Sequence, residues 1–229
     1  MKVIVCLHAA PPGGSPLTAN DREALRLARS LGADDEVVAL MAGTKEETAA
    51  LEAAWACGVD RAARVSGESF AAADFHTLGQ VLGSAARTLG ADLILGGARS
   101  DTEGLGALTA SIARHMSLPH LANIESLERY DHPPHGVAVT VRGGGRKRRL
   151  GVRLPFVMSV ARGSAEPAPA LPARDGTPAI EALAVFDPEV TVIRRRTEML
   201  GTSATAERQP RAVASAGELL DALSARVAK

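Results

Sequence analysis

Short apolar runs alternate with amphipathic stretches through the first half of the chain. Four of these runs have the length and apolar content of buried parallel strands. Because strand and helix alternate four times with short connections, the pattern predicts a parallel sheet with right-handed crossovers and helices on both faces. The four predicted strands are Lys2–Leu7, Glu36–Ala42, Arg61–Val65 and Asp92–Leu95.

Capping and stop residues predict the limits of the helices. A helix from about Asp21 to Leu31 stops at Gly32. Thr44, with Glu47 three positions on, predicts the capping box of a second helix that ends at Gly58. The other two predicted helices are Phe75–Leu89, with Asp74 as cap and Gly90 as stop, and one that follows the glycines at 104 and 106 and ends before Pro119.

The second half of the chain predicts additions to this sheet. Apolar residues occupy alternate positions over 137–141 and over 150–154, with glycines at 143–145 between them. This pattern predicts an antiparallel hairpin at the sheet edge, followed by a buried strand at Pro155–Val160 and a short one at Ala184–Ile193. The predicted fold class is α/β, with an open Rossmann-like, mostly parallel sheet.

The end of the chain predicts an arm rather than more sheet. Residues 163–178 are rich in proline and predict an extended, exposed loop. We place the sheet domain at 1–193 and a C-terminal arm at 194–229, which ends in an amphipathic helix over Gly217–Val227. This helix either folds back on its own domain or packs on a partner.

Composition and charge narrow the class of protein. Hydrophobic residues make up 46% of the 229 residues and aromatic residues 3%, so the core is built of alanine, valine and leucine. With 26 basic and 26 acidic residues, the zero net charge argues against a nucleic-acid partner. Cys6 and Cys57 form no metal or disulfide pattern, which fits a cytoplasmic compartment. No signal peptide or apolar run of membrane-spanning length is evident.

The stretch from Asp92 to Leu108 is the first candidate for function. An apolar run ends in two glycines, and Gly104-Leu105-Gly106 precedes a helical pattern. In an open α/β sheet, such a loop places backbone N–H groups and a helix N-terminus where a phosphate binds. The alternative is a strand–helix loop that binds nothing.

Catalytic machinery is not evident elsewhere. His8 follows the first strand, either at the ligand end of the sheet or as an ordinary loop residue, and the histidines show no metal-ligand spacing. Asp101 and Glu103 are either a carboxylate pair or acids that complement a helix dipole. The basic runs 146–149 and 194–196 are either an anion patch or solvated surface. This inventory favours a binding or carrier subunit over a hydrolase or transferase.

Several segments, taken in order, resemble the beta subunits of electron transfer flavoproteins. Cys57–Ala62 is similar to the family's Met-Gly-Ala-Asp-Arg-Ala, and Arg153–Ser159 to its Leu-Pro-x-Val-x-Ser/Thr. The other matching segments are Met1–Val5, Asp21–Leu25 and Asp92–Gly97. The resemblance implies an electron carrier without catalytic residues of its own. It implies a heterodimer with an alpha subunit that holds most of the FAD, and AMP, or in some members a second FAD, in this subunit.

The resemblance also implies roles for particular residues. It places a partner-recognition plug at Leu171-Pro172, for a flavoprotein dehydrogenase, and contacts with the alpha subunit at Leu219, Leu220 and Leu223. The implied cofactor-binding residues are Cys6, Leu7, Thr18, Ala42, Gly97, Ser100, Asp101, Thr102, Glu103, Gly104, Leu105, Gly106 and Ala107.

Departures from the family pattern leave three hypotheses. The nucleotide loop lacks the family's glutamine and last glycine, His8 replaces a basic pair, and the run 146–149 replaces a glutamate that faces an alpha-subunit cation. We expect a divergent beta subunit with its own matched alpha subunit. The alternatives are a stand-alone adenine-nucleotide-binding or sensing protein of the same fold, and a scaffold subunit with an empty nucleotide site.

Overall fold

The computed structural model describes residues 1–8, 15–99, 106–130, 136–143, 145–161 and 174–184. All of them belong to one compact unit, Met1–Arg195. Within these ranges the strands are β1 (Lys2–Cys6), β2 (Glu36–Gly43), β3 (Arg61–Ser66), β4 (Leu93–Gly97), β5 (His120–Tyr130), β6 (Gly136–Gly143), β7 (Arg146–Arg153), β8 (Phe156–Val160) and β9 (Ile180–Leu183). The helices are α1 (Ala19–Ser30), α2 (Ala49–Ala56), α3 (Phe75–Leu89) and α4 (Leu108–Met116), with a 3₁₀ turn at Glu68–Ala72.

The described strands form one sheet in the order β7-β6-β5-β8-β4-β1-β2-β3-β9. All neighbours from β5 to β9 along this order are parallel, whereas β6 pairs antiparallel with both β5 and β7. The predicted α/β class, with an antiparallel hairpin at the edge, is therefore confirmed.

Two apolar clusters cover the two faces of the sheet. On one face, side chains of α1 and α2 such as Leu25 and Leu51 pack on β1, β2 and β4. On the other face, side chains of α3 and α4 such as Leu82 and Ile112 pack on the same three strands. The buried residues of both clusters are mostly alanine, valine and leucine, as the scarcity of aromatic residues predicts, with isoleucine in both, methionine in the first and Cys6 in the second.

One prediction about an element needs correction, and two strands were not predicted. The second helix begins at Ala49, not at Thr44, because the Thr44 amide donates to Glu47 Oε2 at 2.8 Å within a non-helical turn. β9 was not predicted and ends just before Ala184, the first residue of the predicted strand Ala184–Ile193; its apolar terminal residues Ile180 and Leu183 pair with β3. β5 was not predicted at all.

Several predictions fall outside the described residues. They are the rest of the strand after Ala184, the part of the proline-rich loop from 163 to 173, and the arm from 194 to 229 with its helix. The remainder of that loop, 174–178, contains no helix or strand, as predicted; residues 174–177 are exposed, also as predicted, but Pro178 is buried.

Candidate functional site

The carboxyl ends of β1 and β4 meet at the centre of the sheet. β1 leads into α1, and β4, on the other side of β1 from β2, leads into α4. α1 and α4 cover opposite faces of the sheet. The chain therefore leaves these two strands in opposite directions, which creates a topological switch point with a crevice beyond the strand ends.

Gly97, the last residue of β4, lies directly against the first turn of α1. A Cβ atom built on Gly97 would lie 2.8 Å from the Cβ of Asn20 and 2.8 Å from Oδ1 of Asp21. Asn20 Nδ2 donates a 3.0 Å hydrogen bond to the carbonyl oxygen of Arg99. Glycine at 97 thus permits the close approach of β4 and α1, and Asn20 holds the start of the loop that leaves β4.

A buried acid–base pair joins the end of β1 to the start of α1. The Asp21 side chain is fully buried, and its Oδ1 lies 3.0 Å from Nδ1 of His8. Oδ2 of the same carboxylate accepts a 3.4 Å hydrogen bond from the backbone N–H of His8. Thr18 caps α1, because its Oγ1 accepts a 3.0 Å hydrogen bond from the Asp21 amide. His8 thereby supplies the donors that a buried carboxylate requires.

Two further glycines bring the start of α4 close to the end of β4. A Cβ atom on Gly96 would lie 2.7 Å from Cγ2 of Thr109, and one on Gly106 would overlap the carbonyl oxygen of Ala98. Ala107, the N-cap residue of α4, makes no side-chain capping hydrogen bond. The Ala107 side chain thus satisfies none of the first-turn N–H groups of α4, and such N–H groups, with the positive end of the helix dipole, are where anions bind.

The described cofactor-binding candidates all belong to this region, at the ends of β1, β2 and β4 or the starts of α1 and α4. They are Cys6, Leu7, Thr18, Ala42, Gly97, Gly106 and Ala107. The first four are at most 7% exposed, so what they offer a ligand is mainly their backbone. Whether these seven residues contact a cofactor stays a prediction.

The remaining candidates lie outside the described residues. They are the loop residues Ser100, Asp101, Thr102, Glu103, Gly104 and Leu105, and the partner-binding candidates Leu171, Pro172, Leu219, Leu220 and Leu223. Their roles stay predictions.

Burial determines the chemistry of two side chains near the site. Desolvation, reinforced by the Asp21 carboxylate, raises the pKa of Cys6 to about 12, so its thiol is not a reactive thiolate. His120 begins β5, and its Nε2 lies 3.0 Å from Oγ1 of Thr109 in α4. Burial lowers the pKa of His120, which favours the neutral imidazole.

Asn20 and Asp21 were not among the predicted cofactor-binding residues. Both were recognisable as the start of a helix after Thr18. Their contacts with Gly97 and Arg99, however, join segments almost eighty positions apart, and no local pattern predicts such a contact.

Metal sites and membrane-spanning helices are both absent from the described residues. No group of three or more histidine, cysteine, aspartate or glutamate side chains in these ranges is arranged to hold a metal ion. No helix in the same part of the chain combines the length and apolar character needed to cross a membrane.

A sequence model of the electron transfer flavoprotein domain matches residues 11–188, which is more than half of the 229-residue chain. The chain belongs to the electron transfer flavoprotein family. The matched range of this electron transfer flavoprotein chain includes α1, β4 and α4, but not β1 or His8.

Among curated proteins, this electron transfer flavoprotein chain is similar to the electron transfer flavoprotein subunit beta of Methylophilus methylotrophus. The two are 24% identical over 145 residues, which is 63% of this chain and 55% of the relative. The chain thus matches about half the length of that protein. The predicted resemblance to beta subunits is confirmed, and the low identity confirms that this chain is a divergent member.

Proposed function

We propose that this chain is the beta subunit of a heterodimeric electron transfer flavoprotein. The heterodimer accepts electrons from a flavoprotein dehydrogenase and passes them to a downstream acceptor. The family match over residues 11–188 carries the proposal. In this role the chain is a carrier subunit that shapes a cofactor environment and has no catalytic residues of its own.

The crevice suits an adenine nucleotide, and we assign AMP to it. Gly97 and Gly106 are positions where a side chain has no room, and the uncapped start of α4 offers backbone N–H groups to a phosphate. Asn20 and the His8–Asp21 pair hold the opposite wall, at the start of α1. FAD, held mainly by the alpha subunit, supplies the electron-transfer chemistry when bound.

Partner contacts in this proposal involve residues that the structure does not describe. Leu171-Pro172 forms the plug that docks into the dehydrogenase, since a small apolar anchor on a stiff loop makes an effective hot spot. Leu219, Leu220 and Leu223 form the apolar stripe that packs on the alpha subunit.

Co-expression with the alpha subunit from the same organism tests the proposal. We expect a yellow heterodimer that a flavoprotein dehydrogenase reduces, and AMP among the small molecules released on denaturation. A colourless chain that does not bind the alpha subunit would contradict the proposal. Release of ATP from a homodimer favours a stand-alone nucleotide-binding protein. A reducible heterodimer without bound nucleotide in this subunit favours the scaffold hypothesis.

A further inference from the structure

His120 contacts the first turn of α4. It begins β5, where it pairs with Val157 of β8, and its Nε2 lies 3.0 Å from Oγ1 of Thr109. Thr109 is the second residue of α4 and is 1% exposed, and a Cβ on Gly96 would lie 2.7 Å from its Cγ2. The imidazole is therefore held next to the helical turn whose N–H groups we assign to the nucleotide phosphate.

Among the described residues, no charged side chain neutralises or repels the His120 imidazole. β8, Phe156–Val160, has no titratable side chain, and the basic residues of α4, Arg114 and His115, lie in its last turn. The first acid of β5, Glu125, lies five positions further along the strand. Burial is the cause that lowers the pKa of His120, with no contribution from a carboxylate or a cation. Its protonation state is therefore sensitive to a charge that a ligand brings to the first turn of α4.

A proton on His120 and an anion at the start of α4 stabilise each other. Without an anion, the imidazolium is opposed by burial and by the positive end of the α4 dipole, which lies in the turn that His120 contacts. A phosphate at this turn offsets the dipole and attracts the imidazolium. By thermodynamic linkage, the proton strengthens phosphate binding by the same factor by which the phosphate strengthens protonation.

We propose that His120 makes nucleotide binding in this subunit depend on pH, with the protonated imidazole holding the phosphate more strongly than the neutral one. The inference rests on the proposed function for the presence of the nucleotide, and on the contact of His120 with Thr109 for the coupling. In this role His120 acts by its charge, across the first turn of α4, and is not a catalytic residue.

His115 provides the control, because it lies at the other end of the same helix. Its Nε2 also contacts a hydroxyl group, Oγ of Ser84 at 2.8 Å, but it belongs to the last turn of α4. The heterodimer, freed of bound nucleotide, is prepared with the unmodified chain, His120→Gln and His115→Gln. Isothermal titration calorimetry measures the dissociation constants of AMP and of adenosine, which lacks the phosphate, at pH 8 and pH 5. Circular dichroism melts check folding, and His120→Asn replaces a glutamine variant that does not fold.

We expect the AMP affinity of the unmodified heterodimer, divided by that of His120→Gln, to rise about three- to tenfold from pH 8 to pH 5. The AMP phosphate and other histidines, such as His8, also titrate in this range. They do so in both heterodimers, so the ratio isolates the contribution of His120. The corresponding ratio for His115→Gln should change less than about twofold, and so should the ratios for adenosine.

An AMP ratio for His120→Gln that is equal at the two pH values would overturn the inference, because a purely structural contact does not depend on a proton. An equal pH effect with adenosine, or in His115→Gln, would also overturn it, since the phosphate or the first turn of α4 would then not be involved. Each of these results leaves the proposed heterodimer and its nucleotide intact. A heterodimer that binds AMP at neither pH would overturn the AMP assignment together with the inference, and absence of a heterodimer would overturn the proposed function itself.

Discussion

Gly106 shows how one methyl group would disturb the close approach of the start of α4 to Ala98, just after β4. A Cβ at this position overlaps the carbonyl oxygen of Ala98, and a backbone atom cannot rotate away. We expect Gly106→Ala to displace the loop and lower the free energy of unfolding by about 1–3 kcal/mol. If AMP binds here, the nucleotide released from the purified heterodimer falls as well. Urea unfolding and chromatography of released nucleotides measure the two effects.

Gly90→Ala is a matched control for this change. Gly90 ends α3 at a φ of 73°, and nothing lies within 4 Å of where its Cβ would be. The substitution costs about 1 kcal/mol for the left-handed backbone alone. We expect lower stability with unchanged nucleotide content. If both variants lose the same amount of nucleotide, the nucleotide content depends on overall stability and not on the close contact at Gly106.

The two cysteines differ in burial, and this difference predicts their reactivity. Desolvation raises the pKa of Cys6 to about 12 within β1. Cys57, after α2, is only partly buried; burial raises its pKa, and Arg22 opposes the effect. We expect iodoacetamide at pH 8 to modify Cys57 slowly in the native protein and Cys6 only after unfolding. Peptide mapping by mass spectrometry measures this order, and rapid native labelling of Cys6 would contradict it.

At the scale of elements, Arg174 attaches the segment that leads into β9. Its Nη2 lies 2.9 Å from Oδ1 of Asp60, and its guanidinium lies 5.1 Å from the ring centroid of Trp55. We expect Arg174→Ala to lower the free energy of unfolding by about 1 kcal/mol, since a half-exposed ion pair and a cation–π contact each contribute less than that. Trp55 is the single tryptophan of the chain, so its fluorescence reports the loss of the contact directly.

Arg149→Ala is the control, because the Arg149–Glu128 pair is more exposed and is remote from Trp55 in the sheet order. It should change stability by less than about 0.5 kcal/mol and leave the fluorescence unchanged. In Arg174→Ala, Asp60 stays paired with Arg29 and with the Val37 amide, so its carboxylate is not left without a partner. An unaltered spectrum in Arg174→Ala would contradict the stacking.

Elements were predictable where local signals agree. α3 begins and ends as predicted, because Asp74 accepts a 2.8 Å hydrogen bond from the Thr77 amide and Gly90 adopts the left-handed conformation. β5 was missed because its pairing shifts register at Leu121/Ile124 and again at Ile124/Ser126. These irregularities space the apolar residues three apart, which hides the period of two that identifies a strand.

The same contrast holds for the candidate site. The glycines after β4 and the helix that follows them were predictable from a short pattern. The wall formed by Asn20 and Asp21 was not predictable from a short pattern. It depends on the packing of α1 against the end of β4, which are far apart in the sequence. At Thr44 a local pattern was present but predicted the wrong element boundary. The Thr44 amide does donate to Glu47, but the chain turns there and the helix begins only at Ala49.

At the scale of the whole molecule, the formal net charge is zero, but individual charged side chains interact strongly with one another. The ion pairs of Glu125 predict that stability depends on pH. Burial opposes the ionisation of Glu125, but contacts with Arg142 and Lys147 outweigh it and lower its pKa below the ordinary value of 4.5. A pKa lower in the folded state means that the unfolded chain binds the proton more readily. The stabilisation is therefore present above pH 4.5 and is lost as the pH falls through the folded-state value.

Glu125→Gln tests this linkage because an amide does not titrate. We expect the free energy of unfolding in urea to be lower for Glu125→Gln than for the unmodified chain at pH 7, and the difference to shrink as the pH falls below 4.5, because the unmodified Glu125 then becomes protonated, first in the unfolded chain and then in the folded one. Glu36→Gln is the control: Arg61 and Lys2 lower the pKa of Glu36, but its side chain is 36% exposed, so solvent screening makes its difference smaller. A difference for Glu125→Gln that stays constant from pH 7 to pH 3 would mean that Glu125 stabilises the sheet by packing alone, since only an ionic contribution disappears on protonation.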